Sequence, residues 1–146
     1  MPASDATGMA AVRHSAQMRK QYSFRPGSVG LDAWDVDRLI ALSAGLPVEE
    51  VPLAEIAQLD ENYWYDHGYE PTVRSIAERV YLVQAADLRY PIILSPDGRV
   101  MDGMHRVVRA LVDGHITVPA IRLPELPDPD YRNCTPQDLP YELSGL

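Results

Sequence analysis

The sequence predicts an α+β fold, in which helices pack against a small mixed sheet. Short apolar runs of strand length alternate along the chain with segments whose apolar residues recur at helical spacing. The chain has 146 residues, 46% of them apolar, which suffices for one domain with a modest core. We therefore expect a single globular domain.

The beginning of the chain is expected to be an arm followed by a helix. Residues 1–30 mix Gly, Ser, Ala and Pro without periodicity, which predicts a flexible N-terminal arm. Residues 31–42 have apolar side chains at helical spacing, with Asp32 as a candidate N-cap. This segment predicts a helix added to the front of the domain, which we place at 31–123.

The predicted domain continues with a strand or turn at 51–56, an aromatic loop, and the clearest helix of the chain. That helix begins after Pro71, and its apolar residues keep helical spacing to about Ala86. Two short apolar runs follow at 91–94 and 99–101, joined by a Pro-Asp-Gly turn signal. This pattern predicts a hairpin.

The run Asp-Gly-Met-His-Arg at 102–106 lies where the second strand of this hairpin should turn directly into a helix. Apolar residues after the glycine fit a helix with one buried face, and Gly114 stands where a left-handed C-terminal cap is expected. A strand is predicted at 118–123. The proline-rich tail at 124–146 is expected to lack regular structure.

This junction is the candidate site, because the amides and dipole of a helix N-terminus can hold an anion. Gly103 would let a ligand approach the backbone, with Met104 in the same turn. Arg106 offers a planar fork for bidentate contact with a phosphate. His105 could donate to a phosphate oxygen or move a proton, or it could simply pack.

Asp102 has two interpretations. It directly precedes a predicted helix, so it is a candidate N-cap. As a carboxylate beside a phosphate, it could instead hold Mg²⁺ or polarise a hydroxyl. A salt bridge from Arg106 to Asp102 or Asp113 is the structural alternative to phosphate binding by that arginine.

The aromatic loop is the second unusual feature, since it has four aromatic side chains within seven positions, among acids and a histidine: Tyr63, Trp64, Tyr65 and Tyr69. Tyr63 and Trp64 could stack on a base and form a lid over a ligand, while nearby acids hold a metal. Alternatively, these aromatic side chains fill the edge of the core and the acids face water. His67 and Asp66 do not form a metal site by themselves, because no second histidine or cysteine lies at ligand spacing.

Charge and motifs exclude several classes of protein. The net charge of −8 argues against a nucleic-acid coat protein, and direct DNA binding is not expected. The seven basic residues of 71–123 are all arginines, and we interpret each except Arg106 as a solvated residue paired with nearby acids. The single cysteine, Cys134, excludes an intramolecular disulfide or a cysteine zinc cluster.

Other motifs are missing from the sequence. It has no Walker-type phosphate loop, no nucleophile elbow of a serine hydrolase, and nothing that indicates zinc, haem or flavin. It also has no secretory signal and no apolar run long enough for a membrane span. We therefore expect a cytoplasmic protein with no membrane partner.

The order of elements and the 102–106 turn resemble the ParB/sulfiredoxin-like domain, over about residues 48–123. In ParB-type domains, a Gly-x-x-Arg turn and the helix it opens cradle nucleotide phosphates, and Gly103 and Arg106 match that turn. The resemblance thus implies phosphate binding at these two residues. DNA-partitioning ParB proteins add two downstream domains, which the tail at 124–146 is too short to contain.

Other members of this superfamily differ at the turn. Sulfiredoxins have a reactive cysteine where this chain has Met104, so sulfinic acid reduction is not implied. Free-serine kinases have an Asp-Gly-His-His-Arg turn, which this chain matches except at Met104. Those kinases also use an acidic residue shortly after the first strand as a base, and Asp60 or Glu61 falls in that region. The resemblance therefore implies Asp102, His105 and Glu61 as catalytic candidates.

Two function classes follow. The first is a nucleotide-binding or phosphate-binding domain that could act as a small phosphotransferase or nucleotide hydrolase with Mg²⁺. The second is a non-catalytic regulatory module that keeps the fold and engages a protein partner. A nuclease is the hypothesis with the least support, since no cluster of metal-binding acids is visible beside the turn.

Overall fold

The computed structural model describes residues 20–65 and 70–142. This part of the chain is an α+β structure with two β-sheets and three α-helices. Its contacts divide it into two compact units: residues 42–126 form one, and the residues on both sides of that range form the other. No helix within the described ranges is long and apolar enough to cross a membrane.

The helices and strands have the following bounds. The helices are α1 (Val36–Ser43), α2 (Val73–Ala85) and α3 (Met104–Val112). The strands are β1 (Tyr22–Pro26), β2 (Leu31–Asp35), β3 (Glu49–Pro52), β4 (Ile92–Leu94), β5 (Val100–Asp102), β6 (Thr117–Arg122) and β7 (Tyr131–Cys134).

The unit that contains both ends of the described chain is built on an antiparallel sheet with the order β1-β2-β7. Strand β1 lies in the segment expected to be a flexible arm, so the absence of regular structure predicted for 1–30 is wrong at Tyr22–Pro26. The rest of that prediction, for residues 1–19, lies outside the described residues. Pairing with β2 along five residues orders this strand.

Strand β2 replaces the first part of the helix predicted at 31–42, which is a second correction. Leu31 and Ala33 are buried on the sheet, and the side chain of Asp32 accepts a hydrogen bond from the Asn133 amide at 3.2 Å. Asp32 therefore does not cap a helix. The residue before α1 is Asp35, whose carboxylate accepts from the amide of Asp37 at 2.9 Å.

The tail is also more ordered than its prolines predict. Strand β7 pairs with β2, with Cys134 opposite Leu31, so the expectation of no regular structure is wrong there. The strand fits between Pro129 and Pro136, where each residue keeps the backbone N–H that a proline lacks.

The unit formed by residues 42–126 contains the mixed sheet that the sequence predicts. Its order is β3-β6-β4-β5, with β4 and β6 parallel and the other pairs antiparallel. The predicted hairpin and both predicted helices are confirmed, and Gly114 has the expected positive φ of 80°. One apolar cluster joins the sheet to α3; it consists of Val51, Leu53, Ile56, Ile92, Leu94, Val100, Met104, Val107, Ala110, Val118 and Ala120.

Helix α2 begins with a capping box. The Thr72 hydroxyl accepts from the Ser75 amide at 3.1 Å, and the Ser75 hydroxyl accepts from the Thr72 amide at 2.8 Å. These reciprocal bonds fix the start of the helix, and through it the position of the residues that face α3.

The outer edge of the mixed sheet is closed by a side chain. The amide of Gln58, which is buried, imitates a neighbouring strand: its oxygen accepts from Val100 N–H and its nitrogen donates to Val100 C=O. Burial without such a partner would leave both groups of Val100 unpaired. Gln58 therefore acts as a one-residue extension of the sheet.

Replacing Gln58 with leucine is expected to lower the free energy of unfolding by about 1–3 kcal/mol, because two buried backbone groups lose their partner. Urea denaturation measures the loss. Gln84→Leu is the matched control, since this glutamine is exposed on α2 and should change stability by less than about 0.5 kcal/mol. Equal effects of the two substitutions would contradict the role given to Gln58.

Candidate functional site

The predicted junction is present: β5 ends at Asp102, and α3 begins at Met104. Gly103 lies between them with a φ of 106°, a conformation that residues with a side chain rarely adopt. A Cβ at this position would lie 2.7 Å from Cγ2 of Ile92. Close packing against β4 thus accounts for the glycine, in addition to any approach by a ligand.

Arg106, the main phosphate-binding candidate, is engaged within the fold. Its guanidinium donates to the carbonyls of Tyr90 and Pro91 at 3.1 and 2.7 Å and to Oδ2 of Asp102 at 2.8 Å. The Arg106 and Asp102 side chains are only 18% and 14% exposed. The structure therefore has the salt-bridge alternative, and phosphate binding by Arg106 stays a prediction that would require this pair to rearrange.

Asp102 is not the N-cap of α3, which corrects one of its two interpretations. The N-cap is Gly103, which has no side chain to cap the helix, and the Asp102 carboxylate binds Arg106 instead. Within the described ranges, no group of three His, Cys, Asp or Glu side chains could hold a metal ion. Magnesium binding by Asp102 together with a phosphate stays a prediction, and it would require the pair with Arg106 to open.

The first turn of α3 presents backbone donors. The amides of Arg106 and Val107 donate to the Gly103 carbonyl at 2.9 and 3.1 Å. The backbone amides of Met104 and His105 belong to the same turn and do not donate to this carbonyl. The Met104 side chain is buried in the core, so only its backbone is available to a ligand.

His105 belongs to a cluster with Trp64 and Arg79, which we call the Arg79 cluster. Nη1 of Arg79 lies 3.0 Å from Nε2 of His105, and the imidazole stacks on the Trp64 indole with ring centroids 5.2 Å apart and 20° between planes. The Arg79 guanidinium lies over the same indole, 5.0 Å from its centroid. The cluster thus joins α2, α3 and the aromatic loop.

Burial, followed by the charges of Arg79 and Arg106, lowers the pKa of His105 from 6.5 to about 4. The imidazole is therefore neutral at pH 7. Since a guanidinium can only donate, Nε2 accepts from Arg79, and the ring proton lies on Nδ1. His105 can act as a neutral donor, and it does not carry a positive charge toward a ligand.

Tyr63 lies beside this cluster, edge-on to Trp64 at 6.0 Å. Burial, and then the Asp102 carboxylate, raise the pKa of Tyr63, while the charges of Arg79 and Arg99 lower it. Tyr63 and Trp64 both pack against the apolar core, as the structural alternative for the aromatic loop expects. The predictions for Asp66, His67 and Tyr69 lie outside the described residues.

Glu61, the candidate base, is paired with Arg99. Its two carboxylate oxygens accept from the guanidinium at 2.6 and 3.1 Å, and these hydrogen bonds lower the pKa of Glu61. None of the three catalytic candidates is therefore a free charged group: Glu61 and Asp102 are held in ion pairs, and burial keeps His105 neutral.

Sequence reasoning missed Arg79. Five arginines of the unit at 42–126 form ion pairs with carboxylates: Arg89, Arg99, Arg106, Arg109 and Arg122. Among the described residues, Arg79 has only the neutral imidazole and the indole as partners. One signal was available, because no acid lies three or four residues from Arg79, whereas Arg106 and Arg109 each have an aspartate four residues away.

Comparison with known proteins adds no relative to this description of the site. No protein-family model matches the chain, and neither the curated proteins nor the solved structures give a significant match.

Proposed function

We propose that this chain is a non-catalytic module that binds a small phosphorylated ligand at the N-terminus of α3, with Arg79 as the main cation. The observation that carries the proposal is a half-buried guanidinium that lacks a carboxylate partner among the described residues. This guanidinium contacts the side chain of His105, which belongs to the first turn of α3, and the N-terminus of a helix favours an anion.

Several features support this proposal over the alternatives. Arginine binds phosphate through two parallel hydrogen bonds, and the Trp64 indole lies 5.0 Å from the guanidinium of Arg79, where a cation–π contact supports its position. The amides of Met104 and His105 can add further donors in the same turn. Binding is favoured over phosphotransfer because Asp102 and Glu61 are held in ion pairs and cannot serve as bases without breaking them.

The proposal includes a finer classification. We infer a ParB/sulfiredoxin-like fold for about residues 48–123, supported by the strand-to-helix turn and the mixed sheet around it. The proposed ligand is a nucleotide or another phosphate ester, and the proposed location is the cytoplasm. In this account Arg79 takes the main role that the resemblance gives to Arg106.

Calorimetric titration with inorganic phosphate and with AMP tests the proposal. We expect Arg79→Ala to weaken binding at least about tenfold, because a charged hydrogen-bond donor is lost. Arg74→Ala is the matched control: it removes an exposed arginine from the same helix and should change the affinity less than about twofold. No binding of either probe, or equal affinities of wild type and Arg79→Ala, would overturn the proposal.

A further inference from the structure

One face of the sheet β1-β2-β7 carries aromatic rings. Phe24 and Tyr131 both pair with Ala33, one from each neighbouring strand, so their side chains point to the same side of the sheet. Tyr22 lies two residues before Phe24 and therefore shares that side. The Tyr22 ring lies 6.3 Å from that of Phe24 and 5.9 Å from that of Tyr131. We call these three residues the Tyr22 face.

The segment that follows β7 is bound to this face. The Tyr22 hydroxyl donates to the carbonyl of Pro140, and the Tyr141 ring packs edge-on against the Tyr22 ring, with the centroids 5.5 Å apart. The amide of Lys20 donates to the Tyr141 carbonyl at 2.9 Å. Residues 139–141, with the sequence Leu-Pro-Tyr, are thus held through two backbone carbonyls and one aromatic ring.

These contacts match the way in which aromatic surfaces bind proline-containing peptides. Such a peptide adopts a polyproline II conformation, which leaves its carbonyls without internal hydrogen bonds, and it docks against aromatic side chains. Leu139 has a φ of −90° and a ψ of 149°, close to polyproline II values. The Tyr22 hydroxyl supplies the donor for the carbonyl of the residue that follows. The tail is therefore held as a proline-containing ligand would be.

Residues 135–142 are attached to the sheet by few buried contacts. Leu139 is the one buried residue among them, at 6% exposure, and the others are exposed or half-exposed. Pro136 and Pro140 lack the backbone N–H that pairing along a sheet edge would need. A segment with so little burial opens locally at a much lower free-energy cost than the whole fold. The Tyr22 face can therefore exchange this occupant for another of the same chemistry.

We propose that the Tyr22 face is a docking surface for a partner protein, which it binds through an extended Leu-Pro-aromatic segment, and that residues 139–141 occupy it as an intramolecular competitor. This inference goes beyond the proposed function and concerns the other compact unit. The tethered tail has an effective concentration on the order of millimolar, so it suppresses the binding of weak partners.

Fluorescence anisotropy with a labelled peptide of residues 135–142 tests the exchange. In the full chain, Leu139→Ala together with Tyr141→Ala removes the side chains that anchor the tail. We expect this released chain to bind the peptide at least about tenfold more tightly than the wild type, whose own tail competes. A peptide with alanine in place of its leucine and its second proline should bind neither chain.

The Tyr22 hydroxyl is tested in the released chain. Adding Tyr22→Phe should weaken peptide binding about three- to tenfold, because the hydrogen bond to the proline carbonyl is lost. Tyr90→Phe is the matched control, since this tyrosine is 63% exposed and belongs to the other compact unit. It should change the affinity less than about twofold.

Amide NMR spectra of the wild type with an excess of the peptide give a second measurement that does not depend on the variants. We expect shifts at β1 and β7. The absence of shifts, or a folded released chain that does not bind the peptide, would overturn the proposal. Equal affinities of the wild type and the released chain would contradict the competition by the tail. Wild-type dimers with exchanged tails would assign the face to a second copy of the chain and overturn the proposal as well.

Discussion

Replacing Gly103 with alanine is expected to lower the free energy of unfolding by about 3 kcal/mol, the largest effect on stability expected from any single substitution in the turn. Two costs combine. The φ of 106° is unfavourable for a residue with a side chain, and the new methyl group would lie 2.7 Å from Cγ2 of Ile92. Ile92 is fully buried, so it cannot move aside without disturbing the sheet.

Urea denaturation of two further variants separates these costs. Gly114 also has a positive φ, of 80°, but a Cβ there would have no neighbour within 4 Å. Gly114→Ala should therefore cost only about 1 kcal/mol. The double variant Gly103→Ala with Ile92→Ala should lose less free energy of unfolding than the sum of the losses in the two single variants. The reason is that the shortened side chain at position 92 no longer clashes with the new methyl group. Equal losses in Gly103→Ala and Gly114→Ala would contradict the close packing described here.

Stability is expected to fall by about 3 kcal/mol as the pH drops from 7 to below 4, through the titration of His105 alone. The pKa of this imidazole is lowered to about 4 in the folded chain from its ordinary value of 6.5. Between these values the unfolded chain binds the proton more readily than the folded one. The contribution of His105 to the free energy of unfolding is thus fully present above pH 6.5. It is lost as the pH falls from 6.5 through 4.

His105→Gln isolates this contribution, because glutamine can accept from Arg79 but does not titrate. The loss of unfolding free energy between pH 7 and 4 should be smaller in this variant by about 2–3 kcal/mol. Hydrogen bonds from Arg89 lower the pKa of Asp87 to about 2. Such carboxylates titrate alike in both proteins, so their effect cancels when the stability curve of His105→Gln is subtracted from that of the wild type. Parallel stability curves for the two proteins would show that His105 is not held neutral by the fold.

The sequence predicted the hairpin, both helices and the mixed sheet of residues 42–126, because each has a local signal. Thr72 and Ser75 form a capping box within four residues, and Gly114 ends α3. The predictions are wrong where a strand pairs with a partner that is distant in the sequence. Strands β1 and β7 are ordered by β2, and the apolar spacing of 31–42 fits a helix equally well when that pairing is unknown.

The same distinction between local signals and distant contacts applies to the candidate site. The turn and its position before α3 follow from local sequence, but the partners of its charged residues do not. Arg106 has an aspartate four residues away and is occupied by it, whereas Arg79 meets His105 only because α2 and α3 pack together. The absence of an acid three or four residues from Arg79 was the one local indication that it would differ from Arg106 and Arg109.

A crystal structure of the chain with AMP would test the central claim most directly. The proposed function predicts phosphate oxygens within about 3 Å of the Arg79 guanidinium, at the first turn of α3, with the Asp102–Arg106 pair still formed. A phosphate bound instead by Arg106 after that pair has opened, or one bound away from α3, would contradict the role assigned to Arg79.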